Sequence, residues 1–596
     1  LRFIRTLLIL CLSSAAIAQV QGNLPQLIDS ANSVSLAQTT PGSIIMPENV
    51  AINDTIDVCV NTFDGAATVY AVTDTLGNTY TTTAGTATPS PTDTKGFVYH
   101  AYTRSAFAGA DTISVAQPAP NTTSIYIAVS RYQGLNGVDG SVATAVRSRP
   151  TSGVSALSTT NTTTVNGDIL SSCIGAGSYN QDSKIAPSSG EFSSYGGGTG
   201  GVNVAMQYQH APTLGSNTAT VNTYALAAFN GPDTFAMQTL AFKPDAIKIT
   251  DTALPAAGSG VAYFAQLHCV GGTNTLSYSL FSGSLPAGLS LNTTTGQITG
   301  STTSVGATSL GFRCTDGTVT SSTATITLNV YSSLINPTVK EIITNQYDVG
   351  GPWDKSASNP SGVPITVSCN DLLLVIVRGV DTHYSDGWVQ MPIESTNGAT
   401  NFVSDSFHSP IRRLEGWIPG NMASPLIAYL VGPIAINGAD IITINNNTSA
   451  SSANPTSIIV NVGTGQVVDI AAGDSEMSST ASGTFGTSYT TLVPNTLLIG
   501  ASAGFTGFAP GSPPPMSMSG AWTLLSYDND SGPGSPSLYE WAYAATTQTV
   551  SGTVTYSGSS TNYMAWAQLL VPVRPAPALI SCTVGAGEKF RRLPVP

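Results

Sequence analysis

Short runs in which apolar and polar residues alternate, each closed by Gly, Asn, Asp or Pro, recur from about Gly22 to Pro244. A period of two puts every second side chain on one face, so these runs predict β-strands. Ile125-Tyr-Ile127-Ala-Val129 sets three branched residues on one face, the pattern of a half-buried strand. Asp74-Thr-Leu-Gly77-Asn78-Thr79-Tyr80 reads as a hairpin turn. No stretch carries a convincing amphipathic-helix period, so the predicted fold class is all-β, a sandwich or jelly-roll.

The same order of signals returns after about Ile335. Gly109-Ala-Asp-Thr-Ile-Ser-Val115 matches Gly438-Ala-Asp-Ile-Ile-Thr-Ile444, Thr123-Ser-Ile125 matches Thr456-Ser-Ile458, and Val138-Asp139 matches Val468-Asp469. Asn166-Gly-Asp-Ile169-Leu170 corresponds to Pro494-Asn-Thr-Leu497-Leu498, Gly190-Glu-Phe192 to Gly520-Ala-Trp522, and Lys243-Pro244 to Arg574-Pro575. Each match is short, and their common order argues for a duplication whose period is far too long for a solenoid. The predicted organisation is a leader at 1–18, a first β-sandwich at 19–245, a spacer at 246–332, a second, related sandwich at 333–575 and a disordered tail at 576–596.

The spacer closes with Thr323-Ala-Thr-Ile-Thr-Leu-Asn-Val330, in which Ala324, Ile326, Leu328 and Val330 share one face. Upstream stand the Gly271-Gly272 turn, Leu285-Pro-Ala-Gly-Leu-Ser-Leu291, Thr295-Gly-Gln-Ile-Thr-Gly300 and Asp316. Pro286 fixes a bend, Leu289 and Leu291 point together into a core, and Gly296 permits a turn with positive φ. These motifs resemble the immunoglobulin-like (Ig/cadherin-like) module found in many bacterial surface proteins. The family often continues Gly-Thr-Pro where this chain has Gly300-Ser301-Thr302. The resemblance covers the spacer alone and brings no chemistry of its own. It implies that Cys269 and Cys314 lie on facing strands of an immunoglobulin-like sandwich and form a disulfide. Cys59–Cys173 within the first sandwich and Cys369–Cys582 across the second then follow by elimination.

Composition sharpens this picture. Only 9% of the 596 residues are charged, against about 25% in an average soluble protein. Hydroxyl and amide side chains therefore hydrate the surface, as suits an extracellular β protein. The net charge of −13 is thinly spread, and Lys and Arg nowhere cluster as a nucleic-acid partner would require. Arg2 and Arg5, the apolar Leu7–Leu12 and Ala16-Ile17-Ala18 read as a secretory leader, too short to span a bilayer comfortably. No later run is long enough, so no integral membrane segment is expected after cleavage. Cys11 falls in the leader. The remaining cysteines have neither Cys-x-x-Cys spacing nor a nearby His at zinc-finger spacing, which argues against a structural zinc and for disulfides in an exported chain.

Chemistry-bearing residues are few. Gly500-Ala-Ser502-Ala-Gly504 has the Gly-x-Ser-x-Gly spacing of a nucleophile elbow, but the Pro-rich stretch after it cannot be the helix an elbow needs. Asp528-Asn-Asp530-Ser-Gly532 begins like a calcium loop and lacks the distal Glu. Asp381-Thr-His383-Tyr384-Ser-Asp386-Gly-Trp388 is the most site-like cluster. Its carboxylates and imidazole suit a metal, and its aromatic faces suit sugar rings. The plainer account is a tryptophan capping an apolar edge while the charges face water. All the tryptophans lie in the second copy. Trp522, Trp541 and Trp566 fall near Phe192, Met206 and Phe235 and read as core, whereas Trp353, Trp388 and Trp417 have no clear aromatic counterpart. The ligand-binding candidates are therefore Trp353, Asp381, His383, Tyr384, Asp386, Trp388 and Trp417. No catalytic residue, metal or cofactor is assigned. The expected role is non-catalytic binding or adhesion at a bacterial surface, with a glycan or another surface component as partner. An extracellular polysaccharide-active enzyme and a self-associating filament component are the alternatives.

Overall fold

The computed structural model describes residues 26–33, 42–46, 49–62, 69–87, 97–116, 125–148, 153–176, 184–187, 191–196, 204–211, 214–225, 234–345, 363–368, 370–378, 393–395, 413–414, 426–431, 438–444, 456–467, 471–478, 482–486, 488–506, 516–518, 520–529, 536–557 and 564–578. Among them there are strands and no helix. One eight-strand order occurs four times. It is plainest in Glu341–Asn345, Val363–Val367, Leu373–Arg378, Ile393–Ser395, Arg413–Leu414, Leu426–Val431, Gly438–Ile444 and Thr456–Asn461. The first, eighth, third, sixth and fifth of these strands form a large sheet, and the second, seventh and fourth a small one. That is a jelly-roll order. With short extra strands added, it recurs over 26–133, 135–244 and 466–574, so each flank of the spacer holds two rolls.

The Gly109–Val115 and Gly438–Ile444 matches include the seventh strands of the first and third rolls. Lys243-Pro244 ends the eighth strand of the second roll, and Arg574 ends that of the fourth with Pro575 following. Ala176 pairs with Phe235 as Gly504 pairs with Trp566. Registers also correct three alignments. Tyr126 opposes Asn61, eight residues after Asn53, as Thr456 opposes Arg378, eight after Asn370, so Ile125 does not answer to Ile458. Phe192 opposes Gln207 where Leu524, rather than Trp522, opposes Glu540, and both ladders carry a bulge just after that pair. Trp541 opposes Ile499 as Tyr208 opposes Ser171, so Trp541 answers to Tyr208 rather than Met206.

A common turn signature marks all four rolls. A residue one to three positions before the third strand has positive φ in each: Asn53 (72°), Gly167 (83°), Asn370 (64°) and Asn495 (59°). Glycine and asparagine tolerate this region best. The next side chain often locks the turn. Asp54 accepts from Ala51 N at 2.8 Å, Asp371 accepts from Ser368 N at 2.9 Å, and Thr496 Oγ1 donates to Val493 O at 2.8 Å.

Within the first flank, the large sheets of the two rolls pack face to face. Ile125, Ile127 and Val129 enter the first roll's own core with Ile56, Val58 and Val60. On the reverse face Tyr126 and Ala128 meet Cys173, Val204, Met206 and Ala236 of the second roll. The strand expected to be half-buried is thus covered on both faces, because its second face meets protein instead of water. The Asp74 turn is also not a hairpin, since Val72–Asp74 belongs to the small sheet and Thr81–Thr82 to the large one. Asp74 gathers Gly77 N, Asn78 N and Tyr80 OH and turns the chain between sheets.

The spacer is a small sandwich. Its core contains Ile298, Leu310, Phe312, Ile326, Leu328 and Val330, with Leu289 and Leu291 packed against it. Gly271, Gly272 and Gly296 adopt φ near +80°, +79° and +75°, as turns at those positions require. Backbone N–H groups of Val319, Thr273 and Thr318 hold the Asp316 carboxylate down to about 2. The disulfides Cys59–Cys173 and Cys269–Cys314 are formed. Cys369 and Cys582 lie outside the described residues. Ala576 is 3% exposed and exchanges both backbone hydrogen bonds with Ile335, bridging the two ends of the second flank.

Candidate functional site

Trp353, Asp381, His383, Tyr384, Asp386, Trp388 and Trp417 all lie outside the described residues, as do Asp530 and Gly532. Ser502 sits within the continuous strand Thr496–Thr506, fully buried, with partners on both sides. A nucleophile elbow needs a sharp turn at the serine, and the strand makes none. Trp522 is half-buried and donates Nε1–H to Ser551 O at 2.7 Å, while Trp541 packs against the second flank's core. Among the described residues no group of three His, Cys, Asp or Glu side chains is placed to hold a metal.

The described residues contain two sites with functional chemistry. The first lies between the rolls of the first flank. Asp57 on the third strand of the first roll faces His100 on its sixth strand, with Nδ1 at 2.9 Å from Oδ1. His100 Nε2 stands 3.1 Å from Gln238 O of the second roll. One ring nitrogen thus faces a carboxylate of its own roll and the other a backbone carbonyl across the interface. Ser171 donates to Asp57 at 2.7 Å, which leaves Tyr132 OH to donate to Ser171 at 3.1 Å. The serine thus points to the carboxylate and not to the imidazole, so the group lacks the relay of a catalytic triad. Asp57, His100, Ser171 and Tyr132 are all fully buried. The group works as a sealed clasp across the interface.

The second site is formed by the two joints of the spacer. The turn before the third strand of the second roll grips one end: Asn166 N donates to Gly272 O, Gly271 N to Asn166 O, and Asn166 Nδ2 to Gly272 O and Asn274 O. The corresponding turn of the fourth roll, Val493-Pro494, lines a cleft at the other end with Pro255, Tyr263, Phe264 and Arg574. Arg574, only 3% exposed, donates to Phe264 O at 3.1 Å, and its guanidinium carbon lies 5.9 Å from the Phe264 ring centre. Gln466 accepts from Ala256 N and donates to Pro575 O. Domain junctions are favoured places for ligand clefts. This one spans about 330 Å³, including open solvent, and its one cation is already engaged in the joint. Its geometry fastens the spacer. No simple sequence signal marks it, because Arg574 and Phe264 are 310 positions apart.

Among the described residues no helix is long and apolar enough to cross a membrane. The chain matches no curated protein. The spacer does match a known family, over the stretch in which the sequence resemblance, the sandwich and the Cys269–Cys314 bond coincide: residues 246–331 fit the model described as a putative Ig domain.

Proposed function

We propose that the chain is a secreted, non-catalytic array of β domains that binds a polysaccharide or another component at a bacterial surface. A module of the Ig family suggests a surface or extracellular role in binding or structure. The observation that carries the reading further is the double grip on the spacer. The Asn166 turn of the second roll holds one end and Gln466 and Arg574 of the fourth roll hold the other, beside the corresponding turn, so the module sets a fixed separation between the flanks. The domain limits 19–245, 246–332 and 333–575 belong to this proposal. Recognition is assigned to the second flank, through Trp353, Trp388 and Trp417 with Asp381, His383, Tyr384 and Asp386. Indole faces stack on sugar rings, and loops on a rigid scaffold are where binding residues concentrate.

A broad polysaccharide array tests it. The exported chain should bind a subset of glycans, and Trp388→Ala with Trp417→Ala should weaken that binding at least about tenfold, the scale of a lost aromatic anchor. Unchanged binding by the double variant overturns the assignment. Release of shortened sugars from the array would instead favour the polysaccharide-active enzyme.

A further inference from the structure

The second roll has an acidic pair directly beneath the turn that grips the spacer. Asp139, 6% exposed, accepts from Thr164 N, from Thr164 Oγ1 at 2.6 Å and from Val165 N at 3.0 Å. Those residues lead straight into Asn166, which makes the hydrogen bonds to Gly271, Gly272 and Asn274 of the spacer. Asp168, two residues further on, is fully buried, and neither of its carboxyl oxygens meets a donor from the protein. Gly167, between them, is pressed against Val270 of the spacer so closely that a Cβ there would lie 2.7 Å from a Val270 methyl. A buried carboxylate without donors is strongly disfavoured, but a protonated carboxyl can donate to an adjacent carboxylate.

We propose that Asp139 and Asp168 form a proton-operated latch on the joint between the second roll and the Ig-like module. With one proton held between the two carboxyls, the Thr164–Asn166 turn stays in place and the module stays docked. When that proton leaves to solvent, two adjacent carboxylates repel beneath the turn and the grip loosens.

The titration behaviour agrees. Burial, then the Asp139 carboxylate, pushes Asp168 up to about 8. Burial works against ionisation of Asp139 as well, but the Thr164 and Val165 donors hold it below the usual carboxylate range. Asp168 thus binds its proton more tightly in the folded joint than in an unfolded chain. Its contribution is fully present below about pH 4 and is lost as pH rises towards about 8. At the acid end, protonation of Asp139 gives up the donors that shape the turn. The latch therefore holds over a window bounded by both groups. Other charges near it are Lys243 at the end of Thr234–Pro244, which favours ionisation of Asp168, and His210, whose strand partner Ile169 follows Asp168. In the linker Asp245 is engaged with Lys248 at 2.9 Å and Arg104 at 3.8 Å. The contacting spacer residues, Val270, Gly271, Gly272 and Asn274, carry no charge. The fourth roll has Thr496 where the second has Asp168, so the other joint lacks the device.

Amide hydrogen exchange on the full-length chain, corrected for the intrinsic pH dependence, tests this. Between about pH 6 and about pH 9.5, protection of peptides covering 164–170 and 268–275 should fall about tenfold or more, while peptides at the Arg574 joint stay unchanged. Asp168→Asn, which keeps a donor toward Asp139 and cannot ionise, should retain its protection at the higher pH. Equal behaviour of the two joints in the wild type overturns the proposal, a readout that stands even if the variant fails to fold. A folded Asp168→Asn chain that loses protection as the wild type does overturns it as well.

Discussion

Four residues after Asn53 the third strand of the first roll carries Asp57, and six after it Cys59; at the same steps from Asn370 the third roll carries Leu374 and Ile376. Ser171 and Cys173 of the second roll likewise correspond to Ile499 and Ala501 of the fourth. His100 opposes Cys59 where Ala428 opposes Ile376. In the first flank these positions form a disulfide and a sealed polar clasp. In the second, Leu374, Ile376, Ile458, Val460, Leu497, Ile499, Ala501 and Val571 merge into one apolar core. The same pairing of sheets is therefore held by two kinds of chemistry. An apolar interface is favourable wherever water is excluded and tolerates small slips. A polar one must satisfy every group at fixed geometry, and it penalises any displacement.

Removing the disulfide is the strongest way to break this comparison. Cys59–Cys173 closes 114 residues, so Cys59→Ala with Cys173→Ala should destabilise the first flank by about 5 kcal/mol in the chain-entropy model. Denaturant unfolding should show the second flank's transition unmoved. A smaller effect is expected from His100→Ala, which leaves the buried Asp57 with Ser171 in place of its imidazole partner, at a loss of about 3–5 kcal/mol. Adding Asp57→Leu recreates the second flank's pair of residues and should return stability to within about 1 kcal/mol of wild type. If the double variant is as weak as the single one, the polar clasp is not exchangeable for apolar packing. The smallest effect concerns the carboxylates beside the positive-φ turns. Asp54 is paired with the buried Arg131 at 2.7 Å, whereas Asp371 takes Asn461 at the corresponding position and the 43%-exposed Lys340. Lys340→Ala should cost under about 1 kcal/mol, because Asn461 and Ser368 N still satisfy Asp371.

Much of the architecture was legible in the sequence. Alternation gave the strands, ordered short matches pointed to a duplication, and the Leu285–Gly300 motifs gave the Ig-like spacer with its bond. The doubling of rolls within each flank was not legible. Its strongest common mark is two residues long, Asn-Asp, Gly-Asp or Asn-Thr, and such pairs are frequent in a chain rich in turn residues. Nor was the clasp, because His100 and Ser171 lie 43 and 114 positions from Asp57 and meet it only through sheet pairing and packing. A polar residue on an alternating strand is ordinarily assigned to water, and here a second sheet takes the water's place. The glycan candidates rest on sequence chemistry alone.

The bridge between Ile335 and Ala576 bears on how such a chain can be assembled. It brings the two ends of a unit of about 240 residues within hydrogen-bonding distance, at 2.8 and 3.1 Å. A unit whose ends meet can be inserted into a host loop, excised or circularly permuted with little strain on its surroundings. The second flank has the geometry of a transferable cassette, and a copied segment of this shape can join a pre-existing chain without disturbing the domain beside it.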